Sequence, residues 1–263
     1  MKSYIHLFII FSIFFASCKS QFETLRNSNQ PEKIFAAANK YYEEQSYDKA
    51  IALYDIVIQY YRGKKEAEQL FYNYADAHYQ IGDYILASTY FKNYATTFTN
   101  SPKQSLADYM AAYSNYRLSP NYKLDQSNTI KAIEGFEQFI NKYPENEKVS
   151  EANQLIDALR YKLEVKSFEQ GNLYYKIGSY ESAVVSFENT LKDFPETKRA
   201  EEIRFLIIKS AFELADKSIS EKKNERFNNA LEHIQIFNKK YPTSSYKKEI
   251  DSINKQISNR LKV

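Results

Sequence analysis

One register recurs along this chain: a small residue, an aromatic or branched residue four positions later, and in several copies a proline eight beyond. It is complete in residues 168–195, FEQGNLYYKIGSYESAVVSFENTLKDFP. Gly171, Tyr174, Tyr180, Ala183, Phe187 and Pro195 fall at steps of 3, 6, 3, 4 and 8. Steps of 3 and 4 keep residues on one side of a helix, and the step of 6 spans a turn between two helices. The small residue recurs as Ala50, Ala87, Ala132, Ala183 and Ala230, followed by Tyr54, Phe91, Phe136, Phe187 and Ile234. Five phased copies predict an all-α stack of about five helical hairpins.

The alanines lie 37, 45, 51 and 47 residues apart, against about 34 for a minimal tetratricopeptide (TPR) repeat. The pattern resembles TPR hairpins with lengthened helices and loops. Pro102, Pro144, Pro195 and Pro242 close copies of the repeat. Proline lacks an N–H and disfavours helix in the residue before it, so it stops the second helix of a hairpin. Only 5 Gly and 6 Pro in 263 residues suit long helices, and 24 Tyr with 18 Phe supply the core. The 36 basic and 33 acidic residues are mixed along the chain, so no basic stripe points to nucleic acid.

The N-terminus is a separate object. Lys2 precedes an apolar stretch, residues 4–17, too short for a spanning helix of about 20 residues but fit for a secretory signal. It ends in Phe15-Ala16-Ser17-Cys18, and Cys18 is the only cysteine. Small residues before a lone cysteine resemble a bacterial lipobox, with Phe15 where Leu is usual. Residues 1–17 are therefore expected to be a signal peptide, Cys18 to be acylated, and residues 18–31 to form a tether. At about 0.8 kcal/mol per buried CH₂, two or more chains anchor stably where one is marginal.

Residues 32–145 are expected to hold hairpins one to three, and 146–263 hairpins four and five with a capping helix. The first hairpin turns at Ser46-Tyr47-Asp48 and the second at Gly82-Asp83. A longer loop, 118–128, divides hairpin three, with Ser127 suited to cap the helix that follows. From Glu147 to Ile177 the chain has no proline and one glycine, which predicts one long helix joining the two blocks. Residues 244–261 predict a last helix with Ile250, Ile253, Ile257 and Leu261 on one face.

Catalytic motifs are missing: no HExxH, GxSxG, CxxC or phosphate-loop pattern occurs. His78 occupies the aromatic slot of hairpin two, equivalent to Tyr174, which predicts packing. Glu43-Glu44 and Glu201-Glu202 diverge by about 100° on a helix. The chain is expected to be no enzyme and to need no cofactor or metal. In TPR stacks the first helix of each hairpin lines a groove. Carried over by phase, that face holds Phe35, Asn39 and Tyr42, then Tyr72, Asp76 and Tyr79, then Tyr109, Tyr113, Tyr116 and Arg117. Aromatic rings with a few polar groups suit an extended, apolar peptide.

The lipobox-like signal, short tether and hairpins split three and two resemble the BamD/YfiO family of outer-membrane-assembly lipoproteins. The stretch 116–144, YRLSPNYKLDQSNTIKAIEGFEQFINKYP, is similar to the family's third hairpin with its long loop. DFPETKRAEEIRFLI, residues 193–207, is similar to the entry into its fifth. The resemblance implies an outer-membrane scaffold, lipid-anchored on the periplasmic face. It implies that the N-terminal block binds the terminal strand of unfolded β-barrel substrates and the C-terminal block a BamA-like barrel protein. A periplasmic TPR adaptor coordinating envelope constriction or peptidoglycan synthesis is the alternative; such adaptors carry an N-terminal coiled coil, and no heptad run stands here.

Overall fold

The computed structural model describes residues 21–261, in which twelve helices and no strand occur. Residues 1–17 and Cys18 lie outside them. Two units divide the chain, residues 1–119 with 127–156 and residues 120–126 with 157–263.

The first unit contains α1 (Gln21–Arg26), then hairpin one from α2 (Pro31–Glu43) and α3 (Tyr47–Tyr61). Hairpin two is α4 (Ala67–Gln80) with α5 (Tyr84–Thr97), and hairpin three is α6 (Gln104–Leu118) with α7 (Ser127–Lys142). The alanine register is the core: Ala50, Ala87 and Ala132 are fully buried, as are Tyr54, Phe91 and Phe136. An alanine lets the paired helix approach closely, and the ring four residues on fills the space beside it. Helix α1 falls inside the segment expected to be a tether. Phe22 and Leu25 pack on the hairpin-one core, with the Phe22 and Tyr41 rings edge to face at 5.8 Å. Two apolar side chains three apart give even a short helix a face to bury, and residues 21–26 of that segment are helical.

Two hairpin turns of this unit share one geometry. The N–H groups of Gln45 and Ser46 donate to Tyr42 O and Tyr41 O; those of Gly82 and Asp83 donate to Tyr79 O and His78 O. This is the Schellman end of a helix, which requires a left-handed residue. Gly82 sits at φ +83°, a conformation that glycine adopts freely, and Gln45 holds the same place at φ +59°.

Helix α8 (Val149–Lys176) is one continuous helix of 28 residues, as the absence of proline predicts. Its residues from 157 onward belong to the second unit, where they form hairpin four with α9 (Tyr180–Asp193). Hairpin five is α10 (Ala200–Asp216) with α11 (Ser220–Lys240), followed by α12 (Lys247–Arg260). Ala183 and Ala230 are again fully buried, beside Phe187 and Ile234. Ile250, Ile253 and Ile257 of α12 are buried in the hairpin-five core, with Leu261 packed against it. The Schellman turn recurs, with Gly178 at φ +78° and its N–H on Tyr175 O. Helices α9 and α11 stop at Phe194 and Tyr241, non-helical residues each followed by proline. The loop 120–126 also lies in this unit: Lys166 Nζ donates to Leu124 O at 2.8 Å and to Tyr122 O at 3.2 Å.

Candidate functional site

The first helices α2, α4 and α6 carry the residues expected to line a groove. At the turn end of α2, the Tyr42 hydroxyl donates to Asp76 Oδ2 of α4 at 2.6 Å. Burial and this carboxylate both push the Tyr42 hydroxyl well above the usual phenol range. Asp76 also accepts from Gln80 Nε2 at 3.2 Å. One turn further along α4, the Tyr79 ring faces Tyr113 of α6, centroids 6.3 Å apart. Tyr113 stacks on Tyr109 at 5.7 Å and 21°, and meets Tyr116 at 5.4 Å. The exposed Arg117 guanidinium donates to the Tyr79 hydroxyl at 3.2 Å and lies 4.6 Å from the centre of the Tyr84 ring.

Three expected residues turn inward instead. Phe35 packs on Tyr61 at 4.6 Å, because the last turn of α3 reaches over the first turns of α2. Asn39 Oδ1 accepts from the Tyr54 hydroxyl at 2.7 Å. Tyr72 packs on Phe91 and Tyr94 of its own hairpin, at 5.7 and 5.3 Å, and burial pushes its hydroxyl up to about 12. Tyr109 is buried beneath its neighbours, against Phe136 and Phe139. Its hydroxyl faces Glu151, lies away from water, and makes no hydrogen bond of ordinary geometry. The structure therefore gathers Tyr42 with Asp76, and joins Arg117 to Tyr79 and Tyr79 to Tyr113, which touches both Tyr109 and Tyr116. Phe35, Asn39 and Tyr72 serve the hairpin interiors.

Sequence reasoning missed Tyr84. A signal existed: a tyrosine follows each Schellman turn two residues after its left-handed position, as Tyr47, Tyr84 and Tyr180. Each meets a tyrosine of the preceding helix, Tyr42, Tyr79 and Tyr175, at 5.8, 5.2 and 5.6 Å. A cation from the next hairpin then covers it twice. Arg117 lies on Tyr84, and Lys217 lies on Tyr180 with its Nζ 4.5 Å from the ring centre. Asp108 was missed too. It is buried in α6 and holds Lys142 at 2.8 Å, Lys92 at 3.6 Å and the Tyr143 hydroxyl at 2.9 Å, tying hairpin two to hairpin three.

His78 packs between Tyr74 and Tyr90, at 4.7 and 5.2 Å. Neither ring nitrogen makes a hydrogen bond of good geometry, although Nδ1 comes within 3.3 Å of Asp83 Oδ2. Among the described residues no group of three or more His, Cys, Asp or Glu could hold a metal ion. None of the described helices is long and apolar enough to cross a membrane. On this face, flat rings offer contact area at low entropic cost, and Asp76 and Arg117 offer fixed polar groups.

Stacked two-helix hairpins with an alanine register and an aromatic, polar first-helix face define a TPR-like repeat protein. Within that class, the family model YfiO, described as outer membrane lipoprotein, matches residues 27–202 and 172–262, and the chain belongs to this family. Among solved structures, the chain is similar to the TPR2AB-domain:pHSP90-complex of yeast Sti1. That match has 16% identity and a TM-score of 0.38 over 88% of this chain and 100% of that one, too low to carry an argument.

Proposed function

We propose that this chain is a non-catalytic scaffold lipoprotein of the β-barrel assembly machinery. It binds unfolded outer-membrane protein substrates along the first helices of its N-terminal unit and a BamA-like barrel protein through its C-terminal unit. Acylated Cys18 anchors it to the outer membrane on the periplasmic face. Family membership supports the lipoprotein and the cellular setting. The observation that carries the binding role is the run of rings and polar groups from Tyr42 and Asp76 through Tyr79 and Tyr113 to Tyr116 and Arg117. A β-barrel strand alternates apolar and polar side chains, and such a surface meets it with rings for the first and fixed donors and acceptors for the second. Burial holds the Tyr42 and Tyr79 hydroxyls above their ordinary range, which keeps them protonated as hydrogen-bonding groups and makes them poor nucleophiles.

The test is purification of the tagged full-length chain from membranes in mild detergent. A BamA-like barrel protein is expected to accompany it in fixed proportion. Removal of α12 and hairpin five is expected to release the barrel protein while the N-terminal unit keeps its helical signal. A preparation without any barrel protein would set this reading aside.

A further inference from the structure

We propose that the turn end of hairpin one is an interface with the bilayer surface, held there by the docking of α1. The proposal rests on acylation of Cys18. Three residue steps separate Cys18 from Gln21, the first residue of α1. Fully extended they reach about 11 Å at most. That length would matter little if α1 swung freely, but α1 is fixed on the fold. Phe22 and Leu25 pack against hairpin one, and the Phe22 ring meets Tyr41 edge to face at 5.8 Å. Tyr41 lies near the C-terminal end of α2, next to the turn into α3. The exposed Lys49, from the first turn of α3, places its Nζ 5.2 Å from the centre of the same ring.

A row of Phe22, Tyr41 and Lys49 therefore stands within a short reach of the lipid attachment. The headgroup region on each side of a bilayer is about 5–7 Å deep. A half-buried tyrosine with a lysine over its face suits that layer, with the ring at the apolar boundary and the ammonium in water or on phosphate. Glu43, Glu44 and Asp48 are exposed at the same end, and Glu44 pairs with Lys40 at 3.8 Å. The apposition is therefore set by the tether and by α1 rather than by net charge. The other end of hairpin one, around Gln59, points away along α3, twelve residues or about 18 Å distant.

The chain has no tryptophan, so a single tryptophan reports its own depth. The acylated full-length protein carrying Glu44→Trp or Gln59→Trp is reconstituted into phosphatidylethanolamine–phosphatidylglycerol vesicles with a headgroup-nitroxide lipid. Intact mass of each preparation reads the state of Cys18. The proposal expects Glu44→Trp to lose most of its emission and Gln59→Trp to keep most of it. Adding Phe22→Ser, which frees α1, should restore the Glu44→Trp emission while the acyl mass is unchanged. Equal emission from the two probes in acylated protein, or quenching that survives Phe22→Ser, overturns the proposal and leaves the lipoprotein reading intact. An unmodified Cys18 overturns both.

Discussion

Tyr42 and Asp76 stand 34 residues apart and meet at 2.6 Å, hydroxyl to carboxylate. The bond joins the first helices of hairpins one and two, on the face where substrate is proposed to bind. It fixes both the spacing of the helices and the direction of the carboxylate. Tyr42→Phe removes the donor. Asp76 keeps Gln80 as a partner, so the carboxylate is not stranded. The expected loss is about 1 kcal/mol, read as a lower urea midpoint with an unchanged slope.

Gln45 holds a left-handed turn position that Gly82 and Gly178 hold elsewhere. A side chain there is strained by roughly 1–2 kcal/mol. Gln45→Gly should raise stability by about 0.5–1 kcal/mol, net of the entropy that glycine adds to the unfolded chain. A lower melting temperature for this variant would show that the Gln45 side chain does more than tolerate its backbone.

Gly171 and Ala183 should resist enlargement. A Cβ added at Gly171 would lie 2.5 Å from Cε1 of Phe187, whose ring is fully buried and cannot swing aside. Overpacking costs about 1–3 kcal/mol and outweighs the roughly 1 kcal/mol that alanine gains over glycine in a helix. Gly171→Ala and Ala183→Leu should both unfold at lower denaturant than the wild type. A wild-type midpoint for either would contradict the register of hairpin four.

That register was the legible part of the sequence. An alanine four residues before a ring can be read wherever it recurs, because close approach admits only small side chains and the period is set by the helix. The unbroken α8 was legible for a similar reason, the absence of proline. The groove was legible only by phase, and phase does not say how far a long side chain bends. Phe35 and Tyr42 share a face of α2, yet Tyr61 draws Phe35 inward while Asp76 draws Tyr42 across. Asp108 with its two lysines depends on α5, α6 and α7 meeting in space, which no local pattern records. Helix α1 was hidden by its polar neighbours, since only Phe22 and Leu25 reveal a buried side.

Stability should fall on mild acidification, through His78. Burial holds its pKa below the ordinary value, against the pull of Asp83. The unfolded chain therefore takes the proton first. The stability is present above the unfolded value of about 6.5 and is lost as pH falls through the lower folded value. His233 is lowered by burial in the same way, opposed by Glu188. Melting temperatures measured from about pH 7.5 down to about pH 5.5 should drop less in His78→Phe than in the wild type, and least when His233→Gln is added. An equal drop in all three would assign the acid sensitivity to other groups.

The first-helix face of the N-terminal unit is proposed to hold a β-barrel's terminal strand. Titration of a fluorescent peptide with that strand's sequence against the full-length protein tests it most directly, comparing the wild type with Tyr116→Ala/Arg117→Ala. Arg117 is exposed and Tyr116 only half-buried, so the double variant should stay folded, with a melt lowered only by the lost contacts to Tyr79, Tyr84 and Tyr113. The double variant is expected to bind the peptide about thirtyfold more weakly or worse, since truncating a buried anchor of an interface costs about 2 kcal/mol or more. Wild-type affinity in the folded double variant would contradict it.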